Sequence, residues 1–246
     1  MNYRVIASGS SGNCVIYKDI VMIDLGIKLK DKDLITPYLD SLKIILLTHE
    51  HSDHIQMPLL KWIIDNYPNI MIAYPEYMQD FMNEHLVKYN RSTKEYEQIE
   101  IPKFKVIEVG KNYNFGLFKL TTVNLYHDVD NCAYYIRFIE DDYSVFHATD
   151  TYTLDNIKIP HTTSLIAIEH HHKTKHYNEL IEQKQLEGQY SHEYGAKNVH
   201  LSFEDAEEFL KRNKLYGSEV LRLHVSSHEY YKDFELSYIY EGDKKK

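Results

Sequence analysis

Lys43-Ile44-Ile45-Leu46-Leu47-Thr48-His49-Glu50-His51-Ser52-Asp53-His54 decides the reading of this chain. The run from Lys43 to Leu47 is short, apolar and β-branched, as a buried strand is. It ends in His49-x-His51-x-Asp53-His54, four ligand-type side chains within six positions. On extended backbone, residues two apart point the same way, so His49 and His51 reach one metal together. A helix beginning near Asp53 turns Asp53 and His54 toward a second position. That helix runs to about Asn66, with Leu59, Leu60, Ile63 and Ile64 as its apolar stripe. Imidazole with carboxylate suits zinc, and also manganese or iron. A polar loop that merely holds three histidines is the weaker reading, because burying so many ionisable groups without a partner is costly.

One motif does not complete two sites, so the rest of the chain must supply ligands. His127 follows a strand ending at Leu125, Asp150 follows the strand from Tyr143 to His147, and His224 lies at the end of the strand from Glu219 to Val225. Strand ends are where open α/β sheets place functional loops. Elsewhere the pattern predicts strands over Tyr3–Ala7, Asn13–Tyr17, Ile20–Asp24, Ile70–Ala73, Lys105–Val109, Phe115–Leu125, Cys132–Ile139 and Ser164–Ile168. It predicts helices over Asp31–Leu42, Glu76–Tyr89, Asn178–Glu187 and Phe203–Lys214. Ser202 and Asp205 have the spacing of a helix cap. Ser8-Gly9-Ser10-Ser11-Gly12 reads as a turn in a hairpin, since it lacks the Lys-Ser/Thr ending of a phosphate-binding loop. Strands then helices, twice, suggest an α/β protein with two sheets sandwiched between helices.

Nine glycines and six prolines, with no Ser- or Pro-rich run, favour a single domain over 1–246. The start, MNYRVIAS, is too polar for a secretory leader, and no stretch reaches the ~20 apolar residues of a membrane span. The expectation is a cytoplasmic protein without a membrane partner. Cys14 and Cys132 are too few for a disulfide framework and read as buried thiols. A net charge of −9 argues against broad, non-specific nucleic-acid binding, though not against a local metal-lined cleft. The 22 tyrosines are amphipathic and able to stack on bases, but core-edge packing accounts for most of them.

Thr48-His49-Glu50-His51-Ser52-Asp53-His54 resembles the defining motif of the metallo-β-lactamase superfamily, and the later elements resemble its downstream motifs in order. With SGSSGNC, MIDLG (Met22 to Gly26), HATDT and the late HLS, the chain looks most like the YycJ-like bacterial hydrolases. Those are relatives of ribonuclease Z, a branch associated with phosphodiester cleavage, including DNA exonuclease activity. The resemblance implies a four-layer αββα sandwich. It implies that His49, His51 and His127 hold one divalent metal, that Asp53, His54 and His224 hold another, and that Asp150 bridges them. Zinc is the first expectation, with manganese or iron as alternatives. Glu169 matches an acidic residue kept near a catalytic histidine, and His200 matches that histidine. The chain departs from the pattern at His170-His171-His172, where an Asn-His is usual after the Glu, and at Val199, where a glycine is usual.

Two divalent cations less the charges of Asp53, Asp150 and a bridging hydroxide leave a net charge of about +1, which suits an anionic substrate. Asp53 orients the nucleophile or takes its proton, and His200, paired with Glu169, stabilises phosphate charge or protonates the leaving group. The first functional reading is therefore a phosphodiesterase or nuclease acting on nucleic acid. The alternatives are a hydrolase of thioesters, lactones or lactams, and a metal-binding protein without turnover. His170, His171, His172 and His176, with Lys173 and Lys175 between, form a basic substrate-facing edge, an accessory metal site or a solvated loop. His147 and His161 read as structural, and Lys244-Lys245-Lys246 as a solvated tail.

Overall fold

β-branched and aromatic runs build the strands, and their burial separates central from edge positions. The computed structural model describes residues 1–99 and 103–242. By contacts the chain divides into two units, Met1–Val109 and Gly110–Lys246. The Lys244–Lys246 tail lies outside the described residues.

In the first unit, β1 (Tyr3–Ala7), β2 (Cys14–Tyr17), β3 (Val21–Ile23), β4 (Ile44–Leu46), β5 (Met71–Pro75) and β8 (Phe104–Ile107) form one sheet in the order β1-β2-β3-β4-β5-β8. The first three strands pair antiparallel, and β3, β4, β5 and β8 run parallel. β2, β3 and β4 are buried along their whole length, as strands covered on both faces are. Between β3 and β4 lie a 3-10 turn, Leu29–Leu34, and the short helix α1 (Thr36–Leu39), where the sequence predicts one longer helix. Pro37 sits in the first turn of α1, where its missing N–H costs nothing.

After β4 comes α2 (Met57–Asn66), whose Leu59, Leu60, Ile63 and Ile64 join a core with Ile16, Met22, Ile45 and Ile72. This helix starts later than the sequence suggests. Asp53 and His54 sit in a turn closed by His54 N–H donating to His51 O (2.9 Å), and Leu25 bridges Ile55 in parallel. Pro58 in the first turn fixes the start of α2. Helix α3 (Gln79–His85) follows a 3-10 turn at Glu76–Met78. The predicted continuation to Tyr89 is instead a strand, because Val87–Asn90 (β6) pairs with Glu95–Gln98 (β7) in a hairpin. Asn90 Oδ1 accepts from Ser92 N–H at 2.9 Å, and the Asn-Arg-Ser-Thr turn explains why the helix ends early.

In the second unit, β9 (Asn112–Asn114), β10 (Phe118–Leu125), β11 (Asn131–Phe138), β12 (Ser144–Ala148), β13 (Leu165–Glu169), β14 (Glu219–Leu223) and β15 (Ser237–Ile239) form a seven-stranded sheet, ordered β15-β14-β13-β12-β11-β10-β9. β12, β13 and β14 are parallel neighbours, and β12 and β13 are buried throughout. Helix α4 (Thr174–Leu186) is followed by α5 (His192–Lys197) and α6 (Phe203–Arg212). Ser202 caps α6, its Oγ accepting from Asp205 N–H at 3.0 Å, as the spacing predicts. Ala206, Phe209 and Leu210 pack on Phe146, Ile166 and Ile168. Helix α5 and strand β15 carry no apolar run that sequence reading detects. Cys14 and Cys132 are buried, and burial pushes the Cys14 thiol well up. Among the described residues no helix is long and apolar enough to cross a membrane.

Candidate metal centre

The first ligand set is assembled by three crossing segments of the N-terminal unit. Residues at Asn13, Leu25–Gly26 and Asp53–Gln56 are tied by backbone bonds. Asn13 N–H donates to Asp53 O (2.7 Å), Leu25 N–H to His54 O (2.7 Å) and Gly26 N–H to Asn13 O (2.9 Å). The approach at Gly26 is so close that an added Cβ would lie 1.7 Å from Asp53 O. Within this frame the rings of His49 and His51 lie 4.8 Å apart, and those of His49 and His54 4.1 Å apart. Asp53 Oδ2 lies 3.6 Å from His54 Nε2. All four residues of the motif therefore converge.

What fixes them is a buried carboxylate that the motif alone does not reveal. Asp24 accepts from His54 Nδ1 at 2.6 Å, from Thr48 N–H at 2.8 Å and from the Thr48 hydroxyl at 2.9 Å. Thr48 Oγ1 lies 2.9 Å from His49 Nδ1. A chain His49–Thr48–Asp24–His54 thus engages both Nδ1 atoms and leaves both Nε2 atoms as candidate donors, which is how carboxylates orient metal-binding imidazoles. Asn13 Nδ2 lies 2.8 Å from His54 Nε2 and 3.3 Å from Asp53 Oδ2, so Nε2 is an acceptor nitrogen in this arrangement. Burial pushes the Asp24 carboxyl up, against the lowering effect of His54 and Thr48. The available signal for Asp24 was an acid directly after an apolar strand in MIDLG. Asn13 stands at the start of a predicted strand, directly after a turn that reads as structural.

The second set is built on the parallel strands of the C-terminal unit. Ala148 pairs with Ile168 and Glu169 with Leu223, so the β12, β13 and β14 ends bring Asp150, Glu169 and His224 to one edge. Asp150 (φ 56°) and His224 (φ 50°) are left-handed, as is Asp24 (φ 61°) in the other unit. Non-glycine residues held there cost ~1–3 kcal/mol and cluster at functional sites. Each turns the chain out of its strand just where a ligand or its support is needed. Asn131 Nδ2 holds the Asp150 turn by donating to Thr149 O (2.9 Å) and Asp150 O (2.8 Å).

Glu169 is the hub. Its Oε1 accepts from His200 Nδ1 (2.7 Å) and His224 Nδ1 (2.9 Å), and its Oε2 from Thr151 N–H (3.0 Å) and Leu201 N–H (3.1 Å). Burial raises its pKa, but the His200 charge and the two imidazole bonds outweigh that and hold the carboxyl well below the usual range. For His200 burial acts downward, yet Glu169 and Asp150 leave its pKa raised. The sequence reading paired Glu169 with His200 only, and the structure adds His224. Ligand atoms of Asp150, Glu169, His200 and His224 all lie within 4.8 Å of one another.

His127 Nδ1–H donates to Val199 O (3.2 Å), and its Nε2 lies 3.0 Å from Asp128 Oδ1. Burial lowers its pKa. Its ring lies 5.5 Å from His200. His170, His171 and His172 are all buried, which overturns the solvated-loop reading for these three. Burial pulls them down to about 4, 3 and 4 respectively, so they are neutral. They also separate. His171 stacks on His200 (4.3 Å, 14°), His172 stacks on Tyr177, and His170 packs edge-on against Phe203. His176 stacks instead on Tyr230.

In both sets Nδ1 of a histidine engages an oxygen and Nε2 is the remaining donor atom, the usual arrangement of metal-binding imidazoles. The residues present fit such ions.

A family model described as the β-lactamase superfamily domain matches residues 22–224, and the chain belongs to that family. It is 28% identical over 157 residues to the exodeoxyribonuclease WalJ of Streptococcus pneumoniae, an alignment covering 61% of this chain and 54% of that protein. The chain thus spans about half the length of the curated relatives it matches. Human tRNase Z, short form, superposes with a TM-score of 0.61 at 14% identity, covering 94% of each chain. The metallo-β-lactamase fold protein YhfI of Bacillus subtilis superposes with a TM-score of 0.60 at 14% identity, covering 92% of this chain and 87% of that one. These likenesses show the fold, which is the expected α/β metallo-β-lactamase fold.

Proposed function

We propose that this protein is a binuclear metal-dependent hydrolase that cleaves phosphodiesters in nucleic acid. We further propose that residues 1–246 work as one hydrolase domain, a reading supported by the family match running across the boundary between the two units. On this reading His49, His51 and His127 would hold one ion, Asp53, His54 and His224 would hold the other, and Asp150 would serve both. Zinc is the first choice, and manganese and iron suit the same donors. Such ions, when bound, would supply Lewis acidity toward phosphoryl oxygens and lower the pKa of water.

The observation that carries the phosphodiester reading is Glu169 Oε1 accepting from both His200 and His224. One carboxylate orients a proposed ligand and a histidine that is not one. With Nδ1 engaged, His200 offers Nε2 to a phosphate oxygen or the leaving group as a proton donor. Asp53, steadied by Asn13, orients the nucleophile or takes its proton. The names of the relatives, an exodeoxyribonuclease and a tRNase Z, point the same way.

The test is metal content followed by a substrate panel: bis-p-nitrophenyl phosphate, single- and double-stranded DNA, RNA and a thioester. The expected result is two metal equivalents and hydrolysis of phosphodiesters. His200→Ala is expected to lower turnover by about 10²-fold or more with metal content unchanged. Hydrolysis of the thioester alone overturns the proposal in favour of a small-substrate hydrolase. Bound metal with no hydrolysis of any substrate points to a binding protein.

A further inference from the structure

Two exposed tyrosines flank the second ligand set and play no part in holding it. Tyr126 precedes His127 and Tyr152 follows Asp150 by two residues. They are 45% and 49% exposed. Their segments are locked together: Tyr152 N–H donates to Tyr126 O (3.0 Å), and Tyr126 N–H to Thr151 Oγ1 (3.3 Å). The ring centroids lie 5.8 Å apart at 52°, so each ring keeps a face for a third planar group. The two rings wall an open cavity of about 500 Å³, completed by Thr153, Asp155, Asn156 and Asp205.

The chemistry of that lining selects its occupant. Among the described residues no lysine or arginine lines the cavity, and two carboxylates would repel a phosphate there. Arg212 Nη1 pairs with Asp155 Oδ1 at 3.2 Å from outside the lining. A planar heterocycle with N–H donors suits it instead. Its face stacks on tyrosine, and its amino edge meets the Asp155 carboxylate and the Asn156 amide, which both donates and accepts. We propose that Tyr126 and Tyr152 form a stacking platform for one unpaired nucleobase of the substrate. The substrate class is then a single-stranded end, since a base inside a duplex has no free face. This rests on the phosphodiesterase reading, and it adds a specificity element that the ligand motifs do not contain. Tyr126 directly precedes His127 and Tyr152 lies two residues after Asp150, so the platform shares its backbone with two candidate ligands.

The test compares a single-stranded oligonucleotide with the same strand carrying one abasic residue, scanned along the terminal positions. Wild-type protein is expected to favour the base-bearing strand in kcat/KM by about 5- to 100-fold at one position, the range of a lost base–aromatic stack. Tyr126→Ala and Tyr152→Ala are expected to erase that ratio, whatever their absolute rates, and Tyr126→Phe and Tyr152→Phe to keep it. Circular dichroism verifies that each variant is folded. Fluorescence anisotropy of the labelled strands in excess chelator reads binding without turnover and is expected to show the same preference. A base-to-abasic ratio of one for wild type in both assays overturns the platform. So does a ratio that survives both alanine variants. Preference in binding with no cleavage of any strand supports the platform and overturns the phosphodiesterase reading instead.

Discussion

Gly26→Ala tests whether the N-terminal ligand set depends on a backbone crossing. The added Cβ would lie 1.7 Å from Asp53 O, 2.4 Å from Asp53 C and 2.6 Å from Asn13 N, all main-chain atoms. Restoring an ordinary contact of about 3.4 Å requires the Asp53 carbonyl to retreat by about 1.7 Å (3.4 − 1.7). That retreat opens the Asn13–Asp53 and Leu25–His54 backbone bonds, each 2.7 Å. Overpacking costs ~1–3 kcal/mol and each buried bond left unsatisfied a further ~1–3 kcal/mol. The expected destabilisation is ~3–9 kcal/mol, read from urea unfolding. Displacing Asp53 and His54 by more than 1 Å is expected to cost about 10²-fold in turnover in the fraction that stays folded. Metal content measured beside it should fall as well. A Gly26→Ala protein with wild-type stability, metal content and turnover would refute the argument that this crossing sets the ligand geometry.

Three further outcomes follow from the support residues. Asp24→Ala removes the acceptor for His54 Nδ1 and is expected to weaken metal binding by about 10- to 100-fold, read by competition with a chromogenic chelator. Glu169→Gln places an amide in the hub, which cannot accept from both imidazoles and both backbone donors at once. It is expected to lower metal affinity by about 10- to 100-fold as well as turnover, whereas His200→Ala spares the metal, so metal analysis of the pair separates the two roles of Glu169. Ser202→Ala deletes the α6 cap and is expected to cost about 1 kcal/mol in urea unfolding, and an unchanged midpoint would show that the cap contributes nothing.

The sequence determined the candidate ligand types and the core. His49-x-His51-x-Asp53-His54 after an apolar strand was legible because ligand chemistry and strand periodicity are both local. The stripes of α2 and α6 and the Ser202 cap were legible for the same reason. Tertiary structure decided what holds the ligands. Asp24 meets His54 across 30 residues, and Glu169 meets His224 across 55, contacts that no local pattern encodes. It also decided the fate of the histidine run. His170, His171 and His172 are polar by composition, but backbone pairing of this segment with Leu201–Phe203 and Leu223 draws all three inside. Burial then makes them neutral, where the sequence left a basic edge open. The hairpin at β6 and β7 was missed because Val87 and Tyr89 continue a helical pattern until a turn reverses the chain. The sequence named the atoms able to bind a metal. Parallel strand ends, three left-handed residues and two buried carboxylates aim them, because direction is a property of packed backbone and not of residue type.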